Sequence, residues 1–302
     1  MVSALFMKKT ILLTIDVEDW FQVENFKSYI PFSDWNSCEH RVEKNTQRLL
    51  DFLDQQKCLN PDTGEYGKPG ATFFILGWLA EKYPALVRQI HNRGHEVASH
   101  GYYHHLCSKE SRENLKKDLA KSRKILEDII GSSVKGYRAP SFSVDNEILK
   151  IIEDSGYFYD SSYNSFAMHG RYGHISLPEN RKTGIAVNVS EHFYELPVSN
   201  LNMGKHILPW GGGGYFRLIP FPVFRQGIKQ IFRHEDAYLF YMHPWEIDPD
   251  QPRVKQASRF FRFRHYTNLH SMEAKLSGLF NAFADCCFIS CHQYLKESAK
   301  CA

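Results

Sequence analysis

The 302-residue sequence has no apolar run approaching the roughly 18 residues that a membrane-spanning helix needs. Its early apolar stretch, Ile11 to Ile15, stops at Asp16. It has no block of about five or more Lys or Arg residues, and the net charge is only +3, which excludes a basic tail for nucleic acid or membrane. Internal repeats are absent, and the one low-complexity segment is Gly211 to Gly214. No Gly-Lys-Ser follows those glycines, so a phosphate cradle is not expected there. The seven cysteines are odd in number and lack the paired spacing of a zinc ribbon, so they read as buried free thiols. A secretory leader is not expected, because Lys8-Lys9 leads straight into an acidic motif, and a cytoplasmic protein is the expectation.

What is present is ordinary globular material, 43% hydrophobic and 24% charged, with ample apolar residues for a core. One domain over residues 1–302 is expected, with its core at about 10–252 and a C-terminal helical extension at 253–302. Within that extension Arg259, Arg262 and Arg264 alternate with Phe260, Phe261 and Phe263, which reads as a solvated face packed against core aromatics.

Apolar runs at Thr10 to Ile15, Ala71 to Leu76, His95 to Ser99 and Val134 to Tyr137 read as strands, and Glu195 to Val198 and Ala237 to Met242 supply later ones. Between them, apolar spacing of three and four predicts helices at Glu43 to Gln56, Tyr83 to Asn92, Ser111 to Ile130, Ile148 to Ser155 and Met272 to Phe283. Asn60-Pro61-Asp62 with Gly64 closes off the first of them. Polar clusters fall repeatedly at strand ends, which points to a parallel α/β barrel rather than an open sheet.

Four of those clusters could carry chemistry. Asp16-Val17-Glu18-Asp19 packs three carboxylates into four positions, and like charges that close call for a bound cation or an acid/base task. Alternation along a strand puts Asp16 and Glu18 on one face and turns Asp19 away. His100 and His104 are four apart, spacing that brings two imidazoles to one side of a helical turn as metal ligands. Arg138-Ala139-Pro140-Ser141 offers a guanidinium that can fork onto a carboxylate. His243-Pro244-Trp245-Glu246 places a proton donor beside Trp245, an apolar or sugar-stacking wall. Trp210, the glycine run, Tyr215 and Arg217 read as a flexible loop able to approach a ligand.

In this order and spacing the four blocks resemble the polysaccharide-deacetylase (NodB-homology) family. The chain is nearest to the branch found with bacterial exopolysaccharide loci and is related to allantoinase-like and peptidoglycan-deacetylase-like members. The similarity runs from about Leu12 to Pro252. It implies an α/β fold, a distorted parallel (β/α) barrel of about seven strands, and hydrolysis of an N-acetyl group on an amino sugar. By resemblance Asp16 is the general base, oriented by Arg138, and His243 is the general acid. His100, His104 and Glu18 would hold a divalent metal, Zn²⁺ with Co²⁺ or Ni²⁺ as alternatives. The family's commonest pattern has adjacent aspartates, whereas Val17 separates Asp16 from Glu18 here, so Asp19 stays open as the third ligand. Asp160 matches a further block that tunes the site, and it joins Trp245, Trp210, Tyr215 and Arg217 as expected substrate contacts. Allantoinase-like hydrolysis of a cyclic amide and a catalytically silent carbohydrate-binding protein are the competing readings.

Overall fold

The computed structural model describes residues 9–60, 63–166 and 172–300; Lys8, Pro61 and Asp62 lie outside them. Its first strand, β1 (Thr10–Val17), is buried along its whole length, which is why the sequence reads as an unbroken apolar run rather than an alternating one. Helix α1 (Val42–Gln55) follows, then β2 (Thr72–Ile75), α2 (Pro84–Asn92) and β3 (Glu96–Ser99). Helix α3 (Arg112–Ile130) starts on Ser111, whose side chain accepts from the Asn114 N–H, and stops at Gly131 in the left-handed region. The chain continues through β4 (Gly136–Tyr137), α4 (Asn146–Asp154), β5 (Tyr159–Asp160), β6 (Tyr194–Glu195), α5 (Phe221–Ile231) and β7 (Ala237–Met242).

The seven strands lie side by side in the order β7-β1-β2-β3-β4-β5-β6, every neighbour parallel. The sheet curls toward closure without a regular ladder between β6 and β7. There the Leu239 N–H donates to Ser199 Oγ at 2.8 Å and the Tyr241 N–H to the Gly211 carbonyl at 2.7 Å. This is the distorted parallel barrel that the sequence predicts. The expected elements occur within one to three residues of their sequence bounds at most ends.

Three features depart from the reading of the sequence. The pair Tyr159–Asp160 is a barrel strand, too short to show any periodicity. Residues 253–302 are not purely helical, because Cys287–Phe288 pairs in parallel with the N-terminal half of β1. In helix α6 (Arg259–Tyr266) Phe261 packs on the core, whereas Phe260 and Phe263 are 61% and 56% exposed. Among the described residues the six cysteines are free, five of them buried.

Asp160 faces Glu195 across β5 and β6, both fully buried. Burial raises both carboxyls, and each acts on the other: Asp160 titrates at about 6, and Glu195 is pushed well above the usual range by burial and by Asp160. Glu195 Oε1 accepts the Ser162 and Tyr163 N–H groups at 3.1 and 2.8 Å, while Oε2 meets no donor. A neutral Glu195 whose Oε2–H donates to Asp160 satisfies both groups. An acid whose folded pKa is raised contributes stability that is complete below its unfolded value and is lost as pH rises through the folded one. Glu195→Gln keeps the donor and removes the titration. Thermal melts should therefore show the variant gaining on the wild type as pH rises above the ordinary glutamate value of about 4.5; parallel pH profiles would contradict the shared proton.

Candidate functional site

A cleft of about 160 Å³ opens at the carboxyl ends of the strands, where α/β barrels gather their chemistry. Asp16 and Glu18 enter it from the end of β1, His100 and His104 from the segment after β3, and Ser141 and Phe142 from the segment after β4. The turn after β7, Pro244–Ile247, brings His243, Trp245 and Glu246.

Glu18, His100 and His104 each offer one ligand atom, all within 4.8 Å of one another. Glu18 Oε1 lies 3.0 Å from His100 Nε2 and 2.9 Å from His104 Nε2. A backbone carbonyl can only accept, so the His100 Nδ1–H donates to the Arg138 carbonyl at 2.7 Å. That bond leaves Nε2 to face Glu18, the orientation that a second-layer partner imposes on a metal-ligating histidine. Burial alone raises the Glu18 carboxyl, but His104, His243 and the hydrogen bond from His100 outweigh it and hold the group well below its ordinary value. A buried anion between two imidazoles, all three donor atoms converging, suits a divalent ion.

The two histidines do not share a helical turn. Residues 100–106 are loop, with Gly101 at φ 74° and His104 at φ 55°. The loop is folded by Asp118 of α3, which accepts the Tyr102 and Tyr103 N–H groups at 2.8 and 3.3 Å. A side chain at position 101 would stand 2.9 Å from Asp118 Oδ2, so the glycine is required for space as well as for its backbone.

Asp19 is 0% exposed, but its carboxylate points away from the cluster. Oδ2 accepts from the Arg41 and Val42 N–H groups at 2.7 and 3.0 Å, the free donors at the start of α1, and Oδ1 accepts from Trp20. Burial raises its pKa to about 6 against those three donors.

Arg138 donates through Nη1 to Asp16 Oδ1 at 2.8 Å and to Thr14 Oγ1 at 2.7 Å. Nε and Nη2 donate to the carbonyl and hydroxyl of Ser161 at 2.9 and 2.8 Å. Beyond it, Ser141 and Phe142 are consecutive left-handed residues at φ 52° and 56°, a strain of about 1–3 kcal/mol each. The bonds that hold the turn are Phe142 N–H to the Ala139 carbonyl and Ser143 Oγ–H to the Pro140 carbonyl, at 2.9 and 2.8 Å. Among the described residues the Ser141 N–H meets no protein acceptor, and Ser141 lines the cleft.

Across the cleft, His243 Nδ1 lies 3.0 Å from Glu246 Oε1, and Glu246 Oε2 accepts from Arg217 Nε at 2.8 Å. Burial lowers the His243 imidazole, but Glu18 and Glu246 reverse this and raise it to about 9. Burial raises Glu246, and Arg217 and His243 together bring it below its ordinary value. Arg217, which lines the cleft, is 1% exposed; its remaining donors meet the carbonyls of Arg264, His265 and Thr267, so its guanidinium is committed to holding Glu246. The glycine run serves the same packing, because a side chain at Gly213 would fall 2.4 Å from Glu246 Oε1.

Other expected contacts lie elsewhere. Trp210 is buried outside the cleft, stacked on Phe224 at 5.2 Å with its Nε1–H on the Phe224 carbonyl. Tyr215 is not part of the lining, and Asp160 is beneath it in the sheet. Trp245 lines the cleft, but its faces are covered by His243 at 5.1 Å and His265 at 4.1 Å, leaving no face for a sugar. Sequence reasoning missed Ser141 as a backbone donor, Glu246 as the partner of His243, and His265. The signal for Glu246 was a carboxylate three residues after the histidine, within reach across one tight turn.

The polysaccharide deacetylase family matches residues 7–159, half of the chain, and a domain of unknown function (DUF3473) matches residues 161–296. A peptidoglycan deacetylase-like protein of Gibberella zeae is 32% identical over 91 residues, 30% of this chain and 27% of that protein. A peptidoglycan-N-acetylglucosamine deacetylase of Bacillus cereus is 29% identical over 112 residues, 37% and 47% of the two chains. The chain thus spans about half or less of the curated relatives it matches. A Mycobacterium smegmatis structure described as a polysaccharide deacetylase superposes on 99% of this chain and 93% of its own, with TM-score 0.59 at 18% identity. The shared barrel and the match across β1 to β5, which supply Asp16, Glu18, His100, His104 and Arg138, place this chain in the polysaccharide deacetylase family.

Proposed function

We propose that the protein is a divalent-metal-dependent hydrolase that removes the N-acetyl group from an amino sugar in a polysaccharide or its biosynthetic precursor. The observation that carries this reading is the arrangement of one cleft: the Glu18, His100 and His104 cluster lies between a carboxylate fixed by arginine and a histidine fixed by a carboxylate.

Glu18, His100 and His104 would hold the ion, and Asp19, already accepting three backbone donors, would not. Zn²⁺ fits two imidazoles and one carboxylate, with Co²⁺ or Ni²⁺ as substitutes. Such an ion supplies Lewis acidity, polarising the acyl carbonyl and lowering the pKa of water toward about 7. Asp16, oriented by Arg138, takes the proton from the attacking water. The Ser141 N–H, without a protein acceptor, donates to the oxyanion of the tetrahedral intermediate. His243, bonded through Nδ1 to Glu246, delivers its proton to the departing amine. Acetate and the free amino sugar leave.

Acetate release from N-acetylated oligosaccharides should stop on chelation, return with Zn²⁺ or Co²⁺, and be absent in His100→Ala. His243→Gln should retain metal and lose about 10²–10⁴-fold in kcat. Release indifferent to the chelator would refute the metal reading, and full activity in the His243 variant would refute its role as the acid.

A further inference from the structure

Charge is distributed very unevenly along the chain. Residues 196–234 contain Lys205, Arg217, Arg225, Lys229 and Arg233 and no Asp or Glu. Residues 251–272 contain Arg253, Lys255, Arg259, Arg262 and Arg264, again with no Asp or Glu. These stretches hold ten of the 37 basic residues and none of the 34 acidic ones, so the rest of the chain is net negative, 27 against 34. The small overall charge conceals a strongly basic part.

The same two stretches carry most of the exposed apolar surface. Of nine large hydrophobic side chains exposed among the described residues, six lie here: Met203, Ile207, Leu208, Val223, Phe260 and Phe263. Isolated exposed hydrophobics need no explanation, but such concentration on a basic surface does.

The two stretches pack against each other, and the wall they form reaches the cleft at Gly214, Arg217, Arg264 and His265. Arg217 donates to the Arg264 and His265 carbonyls at 3.1 Å each, and Asn268 Nδ2 donates back to the Arg217 carbonyl at 3.0 Å. The Trp210 Nε1–H on the Phe224 carbonyl joins the end of the hairpin Asn200–Met203/His206–Pro209 to α5. Of the ten basic residues Arg217 is buried with its charge on Glu246, which leaves nine for the wall.

We propose that this wall docks on an anionic lipid surface, seating the cleft at the bilayer interface. Protruding apolar side chains interleaved with Lys and Arg are the chemistry of interfacial binding, in which the apolar groups enter the headgroup region and the cations meet lipid phosphates. Four of the six exposed hydrophobics are aliphatic and offer a sugar no aromatic face, which disfavours a polysaccharide track. A second copy presenting the same positive wall would be repelled. The docking rests on the surface alone; taken with the proposed function, on which this clause rests, it makes lipid-borne carbohydrate the substrate form presented to the cleft.

Co-sedimentation of the full-length protein with phosphatidylcholine vesicles, with and without about one-third phosphatidylglycerol, tests it. Binding should require the anionic lipid and weaken at about 0.5 M salt. Phe260→Ser/Phe263→Ser should weaken it about tenfold, as should Arg225→Glu/Lys229→Glu, with melting temperatures unchanged. No sedimentation, equal binding to neutral vesicles, or full binding by both variants would overturn the proposal. So would retention on an anionic polysaccharide without vesicle binding, or a dimer that these substitutions dissociate, because either assigns the wall to another occupant.

Discussion

The Arg138 guanidinium stands inside the barrel with 0% of its surface exposed, and a buried cation is tolerated there only when its donors are matched. Its partners come from three strands or their ends: Thr14 and Asp16 on β1, its own position after β4, and Ser161 after β5. The Phe74 ring of β2 lies 4.2 Å from it. One side chain thus ties four of the seven parallel strands together at the level of the cleft. Removing Asp16 or Arg138 would leave a charge buried without its partner, a cost of about 3–5 kcal/mol. The ion pair that fixes the Asp16 carboxylate is therefore also part of what holds the barrel's upper end.

The far side of the cleft repeats this arrangement with the charges in a different order. Arg217 binds Glu246, and Glu246 binds His243, which faces Glu18 at 3.9 Å. Two buried arginines thus anchor two carboxylate-bearing chains that converge on the cluster of Glu18, His100 and His104. Each group's protonation state follows from its neighbour: Glu18 is held ionised by imidazoles, and His243 is held protonated by carboxylates. A protonated imidazole and carboxylates can coexist in a small cleft because each belongs to a separate chain of partners. The strained pair at Ser141 and Phe142 lines the same cleft.

The barrel was legible because β1 to β3 and β7 are buried apolar runs and α1 to α4 carry clean helical spacing. Tyr159–Asp160 was not, since two residues carry no period, and α5 was hidden by its opening Phe-Pro and by Gly227. At the site, alternation separated Glu18 from Asp19 correctly in direction, although the reason Asp19 turns away lies 22 residues on, at the start of α1. Trp210 misled because an aromatic beside four glycines reads as a ligand loop. Three of them, Gly211, Gly212 and Gly213, are there because Val198, Tyr241 and Glu246 occupy the space that side chains would need. Local sequence announces residue chemistry well; it does not announce which neighbour, distant in the chain, will saturate a side chain.

The central claim is that Glu18, and not Asp19, completes a metal site with His100 and His104. Isothermal titration of Zn²⁺ into chelator-stripped protein addresses it directly, with Glu18→Gln and Asp19→Asn as the two variants. One tightly bound ion per chain, lost in Glu18→Gln and kept in Asp19→Asn, is the result predicted. Absence of binding, or binding that survives Glu18→Gln and disappears in Asp19→Asn, would contradict it.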